Sequence, residues 1–444
     1  MTNKYLIERV SDYLDKMGKY TLNEDLLMEE DMPDQSEEQR AEWMPPVLHD
    51  FMFHLSGPSD PHGNKKKVLM EEVLDEVTLI DTTKGIVPMA HKNMNLPKTS
   101  AIINKTEEER GGREENLHKK INAGFKKADA EMSSEDRKTR RAKLREARQT
   151  FASFAQARGF KSRTAPKLMG GNMKTEKSSG EGVLTTGLNL APHATAGLHG
   201  FDTCPKASKD CRKNCLGTEA GGNRQYPDAA LAAKTLRTHF VAHHPEHAAR
   251  IMDAEIEAHK KAAKKKGMIP GVRLNVTSDI SWEHHAPKMF ERHKDVQFYD
   301  YTKMPNRVMR QYEPKVEGSH FNKAGHPANY HLTLSHTGTG HAESNDADVV
   351  KVLEKGGVVA SVYQRGKKNK KPTAYEDVKT GKRYPVANGD DDDNTFDRHN
   401  TLGKTEGSPS HGVVSGLQLK GVKNEDAGVF ANKVDDDGIV RINK

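Results

Sequence analysis

From residue 183 onward the chain alternates short apolar runs with amphipathic stretches, and this alternation admits few folds. "VLTTGLNLAP", "GVRLNVTSDI", "VQFYDYTK", "YHLTLSHT", "GVVASVY" and "SGLQLKGV" carry the β-branched and aromatic residues of strands. Between them, "PDAALAAKTLRTHFVAHH" and "PEHAARIMDAEIEAHKKAAKKKG" read as two helices divided by Pro245. "SWEHHAPKMFERH", "PNRVMRQYE" and "NDADVVKVLEKG" supply shorter ones. Strands separated by helices pair in parallel through right-handed crossovers. The fold class is therefore α/β, as a partial (β/α) barrel or an open, mainly parallel sheet, behind a helical N-terminal extension.

The residues ahead of that region differ in kind. Of the whole chain only 34% is hydrophobic and 30% is charged, so part of it is loop or solvated helix. The net charge of +7 is unevenly spread: residues 1–100 are acidic by about eight charges and residues 101–180 basic by about nine. The organisation expected is an acidic helical extension over 1–100, a basic helix and flexible linker over 101–182, an α/β domain over 183–425 and a tail over 426–444. In the extension, Tyr5, Leu6, Val10, Tyr13, Leu14 and Met17 share one helix face. In "SSEDRKTRRAKLREARQTFASFAQARGF", Ser133 can cap a helix, Asp136 sits in its first turn and Gly159 ends it. Leu144, Ala147, Phe151 and Phe154 make its apolar stripe, and Arg137, Lys138, Arg140, Arg141, Lys143, Arg145 and Arg148 crowd the rest. Two readings stand: DNA or RNA contact through residues 133–167, with bases stacked on the phenylalanines, or an amphipathic helix whose phenylalanines pack inward.

All three cysteines, Cys204, Cys211 and Cys215, fall in "FDTCPKASKDCRKNCLG", directly after the first strand of the series. The count is odd, the opening residues lack an apolar signal segment, and no run reaches the roughly 18 apolar residues of a membrane span. Those features point to a reducing cytoplasm and to metal ligation, and away from disulfides and membranes. Three thiolates spaced C-x6-C-x3-C can hold three irons of a [4Fe–4S] cluster and leave the fourth open. Zinc is the alternative, completed by water or by a histidine among His193, His199, His239, His243 and His244. Lys206, Lys209, Arg212 and Lys213 surround the thiols and favour thiolate.

In α/β proteins active sites gather beyond the carboxyl ends of the strands, where this loop falls. The later strands end there in Asn275, Thr277, Ser278 and Asp279, in Tyr299, Asp300, Tyr301, Thr302 and Lys303, and in Thr333, Ser335 and His336. A separate acidic stretch, "NGDDDDNTFDRHN", offers Asp390 through Asp393 and Asp397 to a divalent cation or forms an acidic turn.

"LNLAP", "CPKASKDCRKNCL", "RLNVTSDI", "FYDYTK" and the late "GD…DR…GLQLKG" resemble the gene product 88 domain of tailed bacteriophages, over roughly residues 183–425. That resemblance draws attention to Asp390, Asp397 and Arg398. The family is similar in layout to radical S-adenosylmethionine enzymes, which place three cysteines after the first barrel strand. Those enzymes typically space them C-x3-C-x2-C, a pattern this chain departs from.

The reading of function is a phage-encoded iron–sulfur enzyme, radical-SAM-like, that modifies a nucleotide, nucleic acid or small molecule. Cys204, Cys211 and Cys215 would hold the cluster. Asn275, Ser278 and Asp279 would bind S-adenosylmethionine or substrate, with Tyr299, Asp300 and Lys303 at the reacting group. The alternative is a non-enzymatic nucleic-acid-binding protein with a zinc knuckle.

Overall fold

The computed structural model describes residues 79–82, 85–88, 98–110, 116–161, 167–171, 182–215, 228–364, 371–391, 393–397, 412–420, 424 and 427–443. The chain divides into two compact units, Met1–Asn93 and Met94–Lys444. In the first, β1 (Leu79–Thr82) and β2 (Gly85–Pro88) form an antiparallel hairpin. A helical extension was expected here, but the β-branched run "VTLIDTTKGIVP" favours strand. The helix expected over Tyr5–Met17 lies outside the described residues.

The second unit is built on a ten-stranded sheet. Its strands are β3 (Met169–Gly170), β4 (Val183–Leu188), β5 (Ile269–Arg273), β6 (Gln297–Thr302), β7 (Tyr330–Ser335), β8 (Val358–Tyr363), β9 (Ala374–Asp377), β10 (Arg383–Asn388), β11 (Val413–Gln418) and β12 (Ile439–Ile442). The spatial order is β12-β9-β10-β11-β8-β7-β6-β5-β4-β3. From β4 through β8, and on to β11 and β10, every pairing is parallel. β3 runs antiparallel to β4, and β9 antiparallel to β10. The end strands β3 and β12 are not partners, so the sheet does not close, as both forms of the expected α/β fold, partial barrel and open sheet, require. Antiparallel strands finish both ends of the parallel run, and a barrel of parallel strands cannot close through them.

Each strand from β4 to β8 adds on the same side of the last, and right-handed crossovers of one direction carry their helices to one face. Ahead of those strands come α1 (Thr99–Arg110), α2 (Leu117–Met132) and α3 (Arg137–Ala157), and the short α4 (Lys209–Lys213) belongs to the cysteine loop. The crossovers themselves are α5 (Asp228–His243) and α6 (Pro245–Lys265), α7 (Trp282–His285) and α8 (Pro287–Arg292), α9 (Pro305–Arg310), and α10 (Asp346–Glu354). Residues from Met94 to 182 are thus part of the same unit as the sheet, with α2 and α3 packed on α6 and α1 on α5.

Asp136, rather than Ser133, caps α3: its Oδ1 accepts from the Thr139 amide at 2.9 Å. Ser133 closes α2 instead, donating its hydroxyl to Asp129 O. Gly159 does end α3, with φ of 86°. Phe151 and Phe154 of α3 are buried, and Phe151 stacks on Phe240 at 4.2 Å between centroids. The inward-packing reading of that helix therefore holds, and base stacking on these rings is excluded. Arg250 of α6 ties the α2–α3 corner down through Glu131 and Glu135, and its hydrogen bond with Glu135 holds that carboxyl at about 2.

Candidate functional site

The cysteine loop leaves β4 at its carboxyl end and is pinned by polar contacts to the next strand. Thr277 donates its hydroxyl to Leu190 O, and the Asp279 amide donates to Thr203 O at 2.7 Å. Thr203, fully buried, donates to Ala191 O. The Cys204 amide bonds Asp202 Oδ1, and Arg212 folds back to pair with Asp202 at 2.7 Å. Ser208 caps α4 by accepting from the Cys211 amide. The loop's far end is held by the C-terminal segment: Asp210 Oδ2 accepts from the Val429 amide, and Asn214 donates to Ala427 O. Residues expected to be a tail are thus part of the site's frame.

All three thiols are half-buried. Cys204 Sγ lies 3.7 Å from Thr277 O, and burial pushes this thiol up to about 12. The neighbouring Asp279 and Cys215 charges add to that rise. Cys215 in turn faces Lys234 of α5, a buried lysine whose desolvation brings it down to about 8 against the opposing pull of the thiolate. His193, in the same loop, has a left-handed backbone (φ 39°), and its buried Nε2 has no hydrogen-bond partner. Among the described residues no three His, Cys, Asp or Glu side chains are gathered as a ready metal set. The donor chemistry suits a thiophilic centre, whereas the thiols as placed do not close on one point.

The other expected site residues divide. Lys303 belongs at the rim: its Nζ donates to Ser335 Oγ at 2.9 Å and lies 5.7 Å from the Phe430 ring centre. Asp279 links that rim to the loop, accepting from the Lys303 amide and pairing with Arg307 at 2.7 Å. Asn275 and Ser278 fix a turn instead. Asn275 Oδ1 accepts from Ser278 Oγ and the Ile280 amide, and its Nδ2 donates to Ile280 O. Tyr299 and Asp300 point to opposite faces of β6, as neighbours in a strand must. Asp300, fully buried on the helix side, accepts from the amides of Leu274 and Asn275 and from Tyr330. Burial raises it to about 7 despite Arg273. Tyr299 lies on the opposite, inner face, its hydroxyl 2.9 Å from Thr185 Oγ1.

Sequence reasoning missed Lys234, whose one signal is a lysine amid the small and apolar residues of "AALAAKTLRTHF". It also missed a Ser–His–Asp line, in which His336 lies 2.9 Å from Ser361 and 2.7 Å from Asp346. Ser361 is 1% exposed and also accepts from Asn432, so this line serves as a structural tie at the rim. The aspartates of the acidic stretch disperse: Asp390 pairs with Lys420, while Asp393 is buried against Arg273. Arg398 lies outside the described residues.

An open, one-way-wound α/β sheet carrying a thiol loop on the carboxyl edge of its parallel strands is the class these features define. The chain belongs to the gene product 88 family, whose sequence profile matches residues 162–433. The match starts ahead of β3 and runs past Asn432, wider at both ends than the stretch the motifs alone marked out. No curated protein and no solved structure matches the chain. Among the described residues no helix is long and apolar enough to cross a membrane.

Proposed function

We propose that this protein is an iron–sulfur enzyme of the phage-infected host cytoplasm, with Cys204, Cys211 and Cys215 as the cluster's ligands. The carrying observation is that every cysteine of the chain sits on one loop, tied to β5 and to the C-terminal segment, above the polar ends of parallel strands. Three thiolates suit a cube with one open iron better than zinc, whose structural sites take four closed ligands. Bound, such a cluster supplies one-electron chemistry, including reduction of S-adenosylmethionine, toward a nucleotide, nucleic acid or small molecule. The chain's own part is to hold the loop through Asp279 and Asp210, to place the Lys234 charge by Cys215, and to present Lys303 at the rim. Protein purified anaerobically should be brown and carry iron and sulfide, and each single Cys→Ala variant should lose most of both. A colourless protein holding zinc supports the knuckle reading, and one variant keeping full metal sinks the shared-ligand idea.

A second reading keeps one supporting observation. Arg137, Lys138, Arg140, Arg141, Arg145 and Arg148 are all exposed on α3. With its phenylalanines buried, this helix would grip nucleic acid by phosphates alone.

A further inference from the structure

The connection from α9 to β7, residues 311–329, folds into a small lobe at the amino edge of the sheet, the edge opposite the cysteine loop. Antiparallel bridges join Lys315 to Asn322 and Phe321 to Pro327. Asn322 clamps the lobe from inside, donating Nδ2 to Arg310 O at 2.6 Å and accepting at Oδ1 from the amides of Ala324 and His326. Asn329 anchors it to the frame, donating Nδ2 to Phe290 O, His293 O and Val296 O. Beside the lobe lies a cavity of about 660 Å³, the size of a small-molecule site. Gln297 and Tyr330, the first residues of β6 and β7, line it with Tyr312, His320, Phe321 and Phe396.

The wall is rich in rings and carries little net charge. His320 and Phe321 stand edge to face at 5.5 Å between centroids, and Phe396 packs on the Tyr299 ring at 5.1 Å. Its acid and base, Glu313 and Lys315, are one of each sign and both exposed. Such a wall suits a planar, uncharged ring and offers no cluster of cations to a phosphate. The hydrogen-bonding capacity that the protein leaves over is specific. Asn329 gives its Nδ2 to three carbonyls, so its Oδ1 accepts from His320 Nε2 at 2.7 Å, and in the uncharged imidazole Nδ1 is then an acceptor. Gln297 donates Nε2 to Phe298 O and Asn329 O, and its Oε1 is a second acceptor, with no hydrogen bond among the described residues. The Tyr312 hydroxyl accepts from Gln311 Nε2 at 3.0 Å, and its own proton goes to no acceptor among the described residues.

We propose that this cavity binds a guanine base, carried by an uncharged nucleoside. The base lies among the rings, its O6 accepts from the Tyr312 hydroxyl, and its N1–H and N2 amine donate to His320 Nδ1 and Gln297 Oε1. One donor and two acceptors in the wall are the complement of guanine's pairing edge, which presents one acceptor and two donors. Adenine, cytosine and uracil present other sets. The site lies at the far edge of the sheet from the cysteine loop, and it stands whether or not that loop carries a cluster.

The test is equilibrium titration of the full-length protein with guanosine, inosine and adenosine. Guanosine should bind and slow hydrogen exchange across residues 311–331. Inosine, which lacks only the N2 amine, should bind roughly tenfold more weakly through the loss of one hydrogen bond, and adenosine, whose edge is mismatched, more weakly still. Tyr312→Phe should lower guanosine affinity roughly tenfold. Phe321→Ala should weaken all three nucleosides alike, because stacking on a ring does not depend on the pairing edge. The nucleoside series uses the unaltered protein, so it decides the matter even if a variant fails to fold. Absence of guanosine binding, or adenosine binding as tightly, overturns the proposal. Protection at residues 204–215 in place of 311–331 overturns the placement. A guanine nucleotide or single strand that binds where guanosine does not overturns the ligand class.

Discussion

At the scale of single residues, Lys234 is the most informative group in the candidate site. Burial depresses it from 10.5 to about 8, so the folded state carries a penalty for the charged form. Between pH 8 and 10.5 the unfolded chain binds more protons than the folded one, and stability rises with pH across that window. Below pH 8 the penalty is fully present. Lys234→Met should therefore be more stable than the parent at pH 7 by on the order of 3 kcal/mol, with the advantage shrinking toward pH 10.5. The same substitution removes the cation beside Cys215 and should weaken retention of iron. A variant that gains stability and loses metal marks the lysine as serving the site. Equal metal content in the two proteins would confine it to a packing role.

At the scale of elements, the N-terminal helices are held by close approach. A Cβ on Gly124 of α2 would come within 2.4 Å of the Pro245 ring at the start of α6. The ring is rigid, so Gly124→Ala should cost about 1–3 kcal/mol through overpacking, more than the ~1 kcal/mol of helix propensity it gains. Chemical denaturation reads this directly, and a stabilised variant would show that α2 and α6 part easily. On the exposed side of α3, replacing Arg140, Arg141 and Arg145 with Ala tests the phosphate-grip reading. Nucleic-acid affinity should fall and its salt slope should flatten by roughly three counterions. If the parent binds neither DNA nor RNA at low salt, that reading ends.

At the scale of the whole molecule, the last residues complete the sheet. β12 pairs with β9, and Val440 and Ile442 are fully buried. The Asn443 amide donates to Asp346, whose carboxyl also receives His336 at the rim. Burial raises Asp346, but the bonds from His336 and Thr339 outweigh it and bring it to about 2. Deleting residues 439–444 should cost about 1.5–3 kcal/mol for each buried side chain and lower the melting temperature. It should also loosen exchange around 336–346. A melting temperature unchanged by the deletion would mean that β12 adds nothing to the core.

The sequence by itself determined the alternating elements from β4 to β8, because apolar period and helix-ending residues act locally. It also determined the position of the cysteine loop, since a segment leaving a parallel strand must start at that strand's carboxyl edge. α2, β3, β9 and β12 were not legible, because short or highly charged segments take their state from the partners they pack against. Only the tertiary structure decided that the sheet stays open, that Phe151 and Phe154 turn inward, and that Tyr299 and Asp300 serve opposite faces. It alone brought Lys234 to Cys215 and Asp393 to Arg273, contacts separated by 19 and 120 residues in the chain. Pairings at such distance follow from strand order and register, and no local pattern encodes them.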